Sequence, residues 1–304
     1  MSGLDLIFIR SHRFGPVEAA LAAQLEPVFG AGNVALCLDE SRGAVDTGRW
    51  PKSSLTRGRV QDTIGAPPPA DWGWRMGDLC HIAVAEDFGP RRRQWLIESD
   101  VHIPAGREAE IFARLSAIDA DFMACNLAPK KVKQMAAGVR LALPTADWGC
   151  IFAFNRLDGA HVPALRDTRR AIARALPGSG LQTPNDEAVV ANLGHAAGWT
   201  MVDLFQAAPE MFARNWFDTN PPMLREACDV NRRHPRVSHP VLSYDAIHAR
   251  LGAAGADGHP QRYKPARLGR ILSALDEERR QTLLALIERD PTPADTHPGK
   301  DLDD

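Results

Sequence analysis

Short apolar runs alternate with helically spaced apolar positions along most of this chain. Residues 4–9 form an apolar run interrupted only by Asp5, the pattern of a strand buried on both faces. Pro16 suits a first helical position. Val17, Ala20, Leu21, Leu25 and Val28 then recur at helical spacing, and Gly30-Ala31-Gly32 stops that helix after about Phe29. Residues 33–40 read as a second strand ending in acid. This β-α-β order predicts a parallel sheet with a right-handed crossover. Residues 41–70 have little periodicity and much Gly, Ser, Pro and Arg, so they read as one long loop ending in Pro67-Pro68-Pro69.

A helix opens near Asp71 and runs through Leu79, Ile82, Ala83 and Ala85. Further helices are predicted over 108–118, 163–175 and 185–193, and further strands over 120–125, 149–156 and 200–204. Residues 130–143 show no decisive pattern. Residues 247–251 and 268–289 again read as helices, and the Pro-, Asp- and Thr-rich tail from Asp290 predicts disorder. The expected layout is an α/β fold with a mixed, mostly parallel sheet between helices. It divides into a main domain over 1–245, a C-terminal helical extension over 246–289 and a tail over 290–304.

The most informative stretch is Gln94 to Pro104. Trp95, Leu96 and Ile97 run straight into Glu98-Ser99-Asp100. In open α/β sheets, ligands bind at the carboxyl edge of the strands. If the strand continues, Glu98 and Asp100 point to one face and offer hard oxygen ligands suited to Mg²⁺ or Mn²⁺. Such an ion usually takes its other ligands from water and substrate phosphates. The plainer reading is a pair of solvated turn or helix-capping acids.

Composition narrows the classes. The chain has 304 residues, is 44% hydrophobic and 24% charged, and carries a formal net charge of −2. That is globular composition, with nothing pointing to a nucleic-acid partner. Arg91-Arg92-Arg93 and Lys130-Lys131-Val132-Lys133 are local basic clusters that read as solvated faces or as attractors of an anionic substrate. Cys37, Cys80, Cys125, Cys150 and Cys228 are scattered, with no CxxC spacing, which favours free thiols in a reducing compartment. No signal peptide and no membrane-spanning run is evident, so a soluble cytoplasmic protein is expected. Neither GxGxxG nor GxxxxGK[ST] is present, which argues against NAD-linked and P-loop enzymes.

The order of motifs resembles bacterial nucleotide-sugar glycosyltransferases of the GT-A fold, over about residues 4–245. Leu4 to Ile9, the following helix and Val34 to Asp39 resemble the nucleotide-binding first half of those proteins. Trp74-Arg75-Met76-Gly77-Asp78 resembles their Trp-x-x-Gly-Asp segment. Trp95 to Val101 resembles their Trp-hydrophobic-Ile-Glu-x-Asp-Val signature, and Asn185-Asp186-Glu187 and His239-Pro240 match later acidic and histidine positions. The resemblance implies sugar transfer from a nucleotide-diphosphate donor to a glycan or small-molecule acceptor, assisted by Mn²⁺ or Mg²⁺. The acidic motif here is Glu-Ser-Asp rather than Asp-x-Asp. The metal role therefore carries over to Asp100, and Glu98 is expected to orient the ribose, the sugar or a metal-bound water.

The remaining candidates follow from position. His239 offers an imidazole to complete the metal shell, with His234 as its competitor. Asp39, at a strand end, suits ribose or base contacts; Asp78 follows the glycine of the Trp-x-x-Gly-Asp segment and is otherwise a helix cap. His12 and Arg13 follow the first strand and suit nucleotide or phosphate, while Arg13, Lys130 or Lys131 would assist the diphosphate. An inverting transfer needs a base for the acceptor hydroxyl. Asp186 and Glu187 are the candidates, not separable at this level, and both also suit a helix N-terminus for dipole reasons alone. The tryptophans beyond Trp95 read mostly as core or loop anchors, and Trp72, Trp74 and Trp148 lie in polar loops where a ring could instead stack on a sugar or base. Two rival readings stand beside transfer. One is a catalytically inactive relative that binds nucleotide, glycan or a partner protein. The other is a metal-dependent nucleotidyltransferase.

Overall fold

The structure, a computed structural model, describes residues 5–89, 91–130, 134–219, 222–230, 236–252, 269 and 271–288. Two compact units emerge, one formed by Met1–Thr219 with Arg232–Pro240 and the other by Asn220–Asn231 with Val241–Asp304.

The first unit is built on β1 (Asp5–Ser11), β2 (Val34–Asp39), β3 (Lys52–Leu55), β4 (Arg93–Glu98), β5 (Phe122–Pro129), β6 (Trp148–Asp158) and β7 (Met201–Asp203). These form one sheet in the order β3-β2-β1-β4-β6-β5-β7. Only β6 runs antiparallel to its neighbours. This is the mixed, mostly parallel sheet between helices that was expected. The chain leaves β1 toward β2 and β3, then returns to place β4 on the other side of β1. The crevice outside the carboxyl ends of β1 and β4 is thus the switch point where such sheets bind ligands.

Side chains alternate across the sheet, so each strand feeds two cores. Leu6, Phe8 and Leu96 face one apolar layer with α4 (Leu79–Phe88), α7 (Val162–Ala175) and α8 (Asp186–Ala196). Ile7, Ile9, Trp95 and Ile97 face the other, with α1 (Pro16–Phe29) and α5 (Glu108–Ser116). Trp95 is fully buried and meets Phe112 edge-on at 5.3 Å. Burying such side chains stabilises the fold by roughly 1.5–3 kcal/mol each. Continuing the alternation, Arg10 and Glu98 belong to the face of Leu6, Phe8 and Leu96, and they are register partners across β1 and β4.

Several predicted elements need correction. Residues 41–70 are not one loop. They contain β3 and α2 (Arg57–Ile64), with Thr56 accepting from Arg59 N at 3.2 Å and Gly65 closing the helix at φ 77°. The strand escaped notice because Lys-Ser-Ser-Leu carries no apolar run, although Ser53 is buried. The helix predicted from Asp71 is two pieces, α3 (Trp72–Arg75) and α4, broken at Met76-Gly77-Asp78. The acidic strand ends at Glu98, and Asp100 lies in the turn beyond it rather than on the strand. Within 130–143 lie α6 (Gln134–Ala137) and a 3-10 turn over Gly138–Leu141. A short α9 (Leu204–Ala207) follows β7.

The second unit pairs β8 (Met223–Leu224) in parallel with β9 (Val241–Leu242) and carries α10 (Arg225–Val230), α11 (Tyr244–Gly252) and α12 (Glu277–Glu288). Its core is Leu224, Leu242, Ile247, Ile271, Leu275 and Leu283. The helix predicted over 268–289 is interrupted before α12, where the Asp276 carboxylate accepts from Arg279 N at 2.9 Å. The predicted tail from Asp290, together with His234 and Lys131, lies outside the described residues. Among the described residues, no helix is long and apolar enough to cross a membrane.

Candidate active site

Glu98 ends β4, Asp100 follows in its turn, and His239 arrives from the segment that bridges Phe217 and follows the Ser238–His102 bridge. Their ligating atoms lie within 4.8 Å of one another. His239 Nε2 is 3.4 Å from Asp100 Oδ1 and 3.6 Å from Glu98 Oε2. His239 Nδ1 is 2.7 Å from the Asp218 carbonyl oxygen, which can only accept. That bond puts the proton on Nδ1 and leaves Nε2 to face the carboxylates, the arrangement typical of a ligating histidine. Burial alone would lower the His239 pKa. The Asp100 charge and hydrogen bond, followed by Glu98, outweigh it and push the value up to about 10, so without a cation Nε2 also carries a proton, which a bound cation would displace. Two carboxylates and one imidazole fit Mn²⁺ well, and fit Mg²⁺ through the oxygens.

A second feature is one that sequence reading missed. Arg10, on β1, donates through Nη1 to Glu98 at 2.6 Å and to Asp186 at 3.2 Å. Its Nη2 donates to the Gly73 carbonyl at 2.7 Å and the Trp74 carbonyl at 3.0 Å. Burial would lower its pKa, but Glu98 and Asp186 raise it further, so Arg10 is a fixed cation. With four acceptors on two nitrogens it holds Glu98 in place. The signal was available: Arg10 shares the parity of Leu6 and Phe8, which puts it on the α8 face at a strand's carboxyl end.

The Trp74-Arg75-Met76-Gly77-Asp78 segment serves the same network. Gly77 N donates to Asp186 Oδ2 at 2.9 Å. A Cβ on Gly77 would lie 2.0 Å from Arg10 Nη1 and 2.5 Å from Asp186 Oδ2, so only glycine permits the approach. Asp78 requires correction as a cofactor-binding residue. Both its oxygens are taken by Arg169, at 2.7 Å and 2.5 Å, and the two side chains are 0% and 1% exposed. Arg169 also donates to Pro184 O at 2.7 Å, which pins the entry to α8. Asp78 therefore holds the site's frame and presents nothing to a ligand.

Asn185 caps α8 by accepting from Ala188 N at 3.3 Å. Asp186 is buried, with Oδ2 shared by Arg10 and Gly77 and Oδ1 accepting from Glu187 N at 2.8 Å. Burial raises its pKa to about 6 against the pull of Arg10. Glu187 accepts from Asn185 Nδ2 at 3.1 Å. Burial, then Asp186 and Glu98, raise its pKa to about 8. The two acids that sequence could not separate thus differ in their surroundings.

Compared with models of known families, the chain matches none, and no curated protein is detectably similar in sequence. Among solved structures, one similar chain is the galactosyltransferase LgtC in complex with donor and acceptor sugar analogues. The match covers 96% of this chain and 98% of that one, at 9% identity and a TM-score of 0.43. A likeness of that size lends no weight to any activity.

The other candidates make the following contacts. Asp39 Oδ1 accepts from Ser41 N at 2.9 Å, and its carboxylate packs against Gly73, where a Cβ would lie 2.1 Å from Oδ2. His12 and Arg13 are exposed, and Arg13 Nε is 3.5 Å from Glu18 Oε1. Trp72 is buried, Trp148 stacks on His195 at 4.8 Å, and Trp74 is 63% exposed beside the Arg10 cradle.

Proposed function

We propose that this protein is a metal-dependent glycosyltransferase that uses a nucleotide-diphosphate sugar. The observation that carries the reading is the convergence of Glu98, Asp100 and His239 at the switch point of the sheet, where the sequence resembles the acidic motif of such enzymes. Asp100 and His239 would hold Mn²⁺ or Mg²⁺, with Glu98 as third ligand or as acceptor for a metal-bound water. When bound, the cation neutralises charge growing on the leaving diphosphate.

The chain's own residues supply the rest. Arg10 is a positioning residue that fixes Glu98 and ties it to α8. Asp186 is saturated by three N–H donors and serves the frame. Glu187 is the better base: its raised pKa makes it a stronger proton acceptor than an ordinary carboxylate, matched to a hydroxyl acceptor near neutral pH. An acceptor hydroxyl deprotonated by Glu187 would attack directly and invert the anomeric carbon.

Two assays test this. A panel of nucleotide diphosphates is screened by thermal shift with and without Mn²⁺; a ligand at one hundred times its Kd adds about 2.7 kcal/mol. Product analysis of a matched nucleotide sugar should then show nucleoside diphosphate and an inverted sugar. Pyrophosphate would instead identify a nucleotidyltransferase, retention would remove the proposed role of Glu187, and binding without turnover would identify an inactive relative.

A further inference from the structure

A pair of cations meets at the carboxyl end of β5, one of them the Lys130 that the sequence offered to the diphosphate, and neither belongs to the Glu98, Asp100 and His239 cluster. Lys130 Nζ and Arg214 Nη2 both donate to one atom, Asn126 Oδ1, each at 2.8 Å. That oxygen belongs to a neutral amide, and among the described residues neither cation forms an ion pair with a carboxylate. Two like charges gathered on one uncharged acceptor repel each other and leave donors to spare. Asn126 reaches them from a left-handed backbone conformation, φ 55°, inside a stretch of β5 whose register against β6 shifts on both sides of Cys125. Bulges and strained residues of this kind re-aim side chains and concentrate at functional sites.

The pair also stands beside the proposed base. Lys130 packs over Gly149, where a Cβ would lie 3.2 Å from Lys130 Cγ. The adjoining Cys150 thiol donates to the Glu187 carbonyl at 3.6 Å. Burial, followed by Arg214, lowers the Lys130 pKa, while Asp203 and Glu187 act on it without touching it. Asp203 Oδ1 is itself occupied by Leu127 N and Phe205 N, at 3.2 and 3.3 Å.

We propose that Lys130 and Arg214, held together by Asn126, form an oxyanion subsite for the acceptor, which therefore carries a carboxylate or phosphate near the hydroxyl it offers to Glu187. The identity of the anion as part of an acceptor rests on the glycosyl-transfer reading; the existence of the subsite does not.

The test is isothermal titration of the full chain in metal-free buffer with two probes, inorganic phosphate and glucuronate. The wild type should bind at least one of them. Tighter glucuronate points to a sugar acid, and tighter phosphate to a phosphorylated acceptor. Lys130→Gln and Arg214→Gln should each weaken binding roughly tenfold, as expected for one charge-assisted hydrogen bond. Asn126→Asp should weaken it strongly, because the new carboxylate pairs with both cations and cancels one of their two charges while keeping them in place. Asp100→Asn should retain it. The proposal is overturned if neither probe binds the wild type, if the Lys130→Gln/Arg214→Gln double variant binds normally, or if Asp100→Asn removes binding and so places the anion at the metal centre. Failure of the transfer reading would show instead in the separate Mn²⁺-dependent nucleotide screen.

Discussion

Two acid–cation assemblies lie at opposite ends of one network and behave differently. At one end Asp78 and Arg169 are sealed, with both carboxylate oxygens and all three guanidinium nitrogens engaged and almost no exposure. At the other, Glu98 and Asp100 keep 27% and 24% of their side chains exposed beside His239. Arg10 and Asp186 lie between them. Both acids follow recognisable motifs, so sequence assigns them similar roles. The structure separates them by burial and engagement: Asp78 has both oxygens on Arg169 and no exposure, whereas Glu98 and Asp100 remain partly exposed beside His239.

The largest effect should come from the proposed base, Glu187. Glu187→Gln should lower turnover by ~10²–10⁴ while donor affinity holds, measured by steady-state kinetics and nucleotide titration; Asp186→Asn should instead lose thermal stability. Next comes the sealed end. Arg169→Met leaves Asp78 buried and unpaired, which costs about 3–5 kcal/mol, whereas Asp100→Asn should shift the denaturant midpoint little. Similar losses from both would erase the distinction. Gly77→Ala, which forces a methyl against Arg10 and Asp186, should cost about 1–3 kcal/mol, read by urea unfolding.

The remaining effect is the pH response. Glu187 has its pKa raised from 4.5 to about 8, so the folded state holds a proton that the unfolded chain releases. Its contribution to stability is full below about 4.5 and is lost as pH rises to about 8. Glu187→Gln should flatten that decline. Turnover should run the other way, rising about tenfold from pH 7 to pH 9 as the base ionises.

Much of this was legible in the chain. The β1-α1-β2 unit, the apolar run into Glu98 and the basic helix α7 are spelled out by periodicity. Asp100 and His239 stood out as candidates by residue type and motif, and the structure brings them together although they come from a turn and a distant segment. The serine-rich β3 was hidden because its burial comes from packing at a sheet edge. Arg10 and Arg169 were hidden because a lone cation on a strand end or helix reads as a solvated residue until its acidic partners, 88 and 91 positions away, are folded against it. His12, Arg13 and Asp39 lie at the ends of β1 and β2, as the sequence pattern implied.

The central claim is that Glu98, Asp100 and His239 hold a divalent cation. Direct titration of the purified protein with Mn²⁺, followed calorimetrically, tests it. One equivalent should bind to the wild type, and Asp100→Asn, folded and with its melting midpoint intact, should lose that binding together with the Mn²⁺-dependent part of nucleotide affinity. Undiminished Mn²⁺ binding in the folded Asp100→Asn variant would contradict the account.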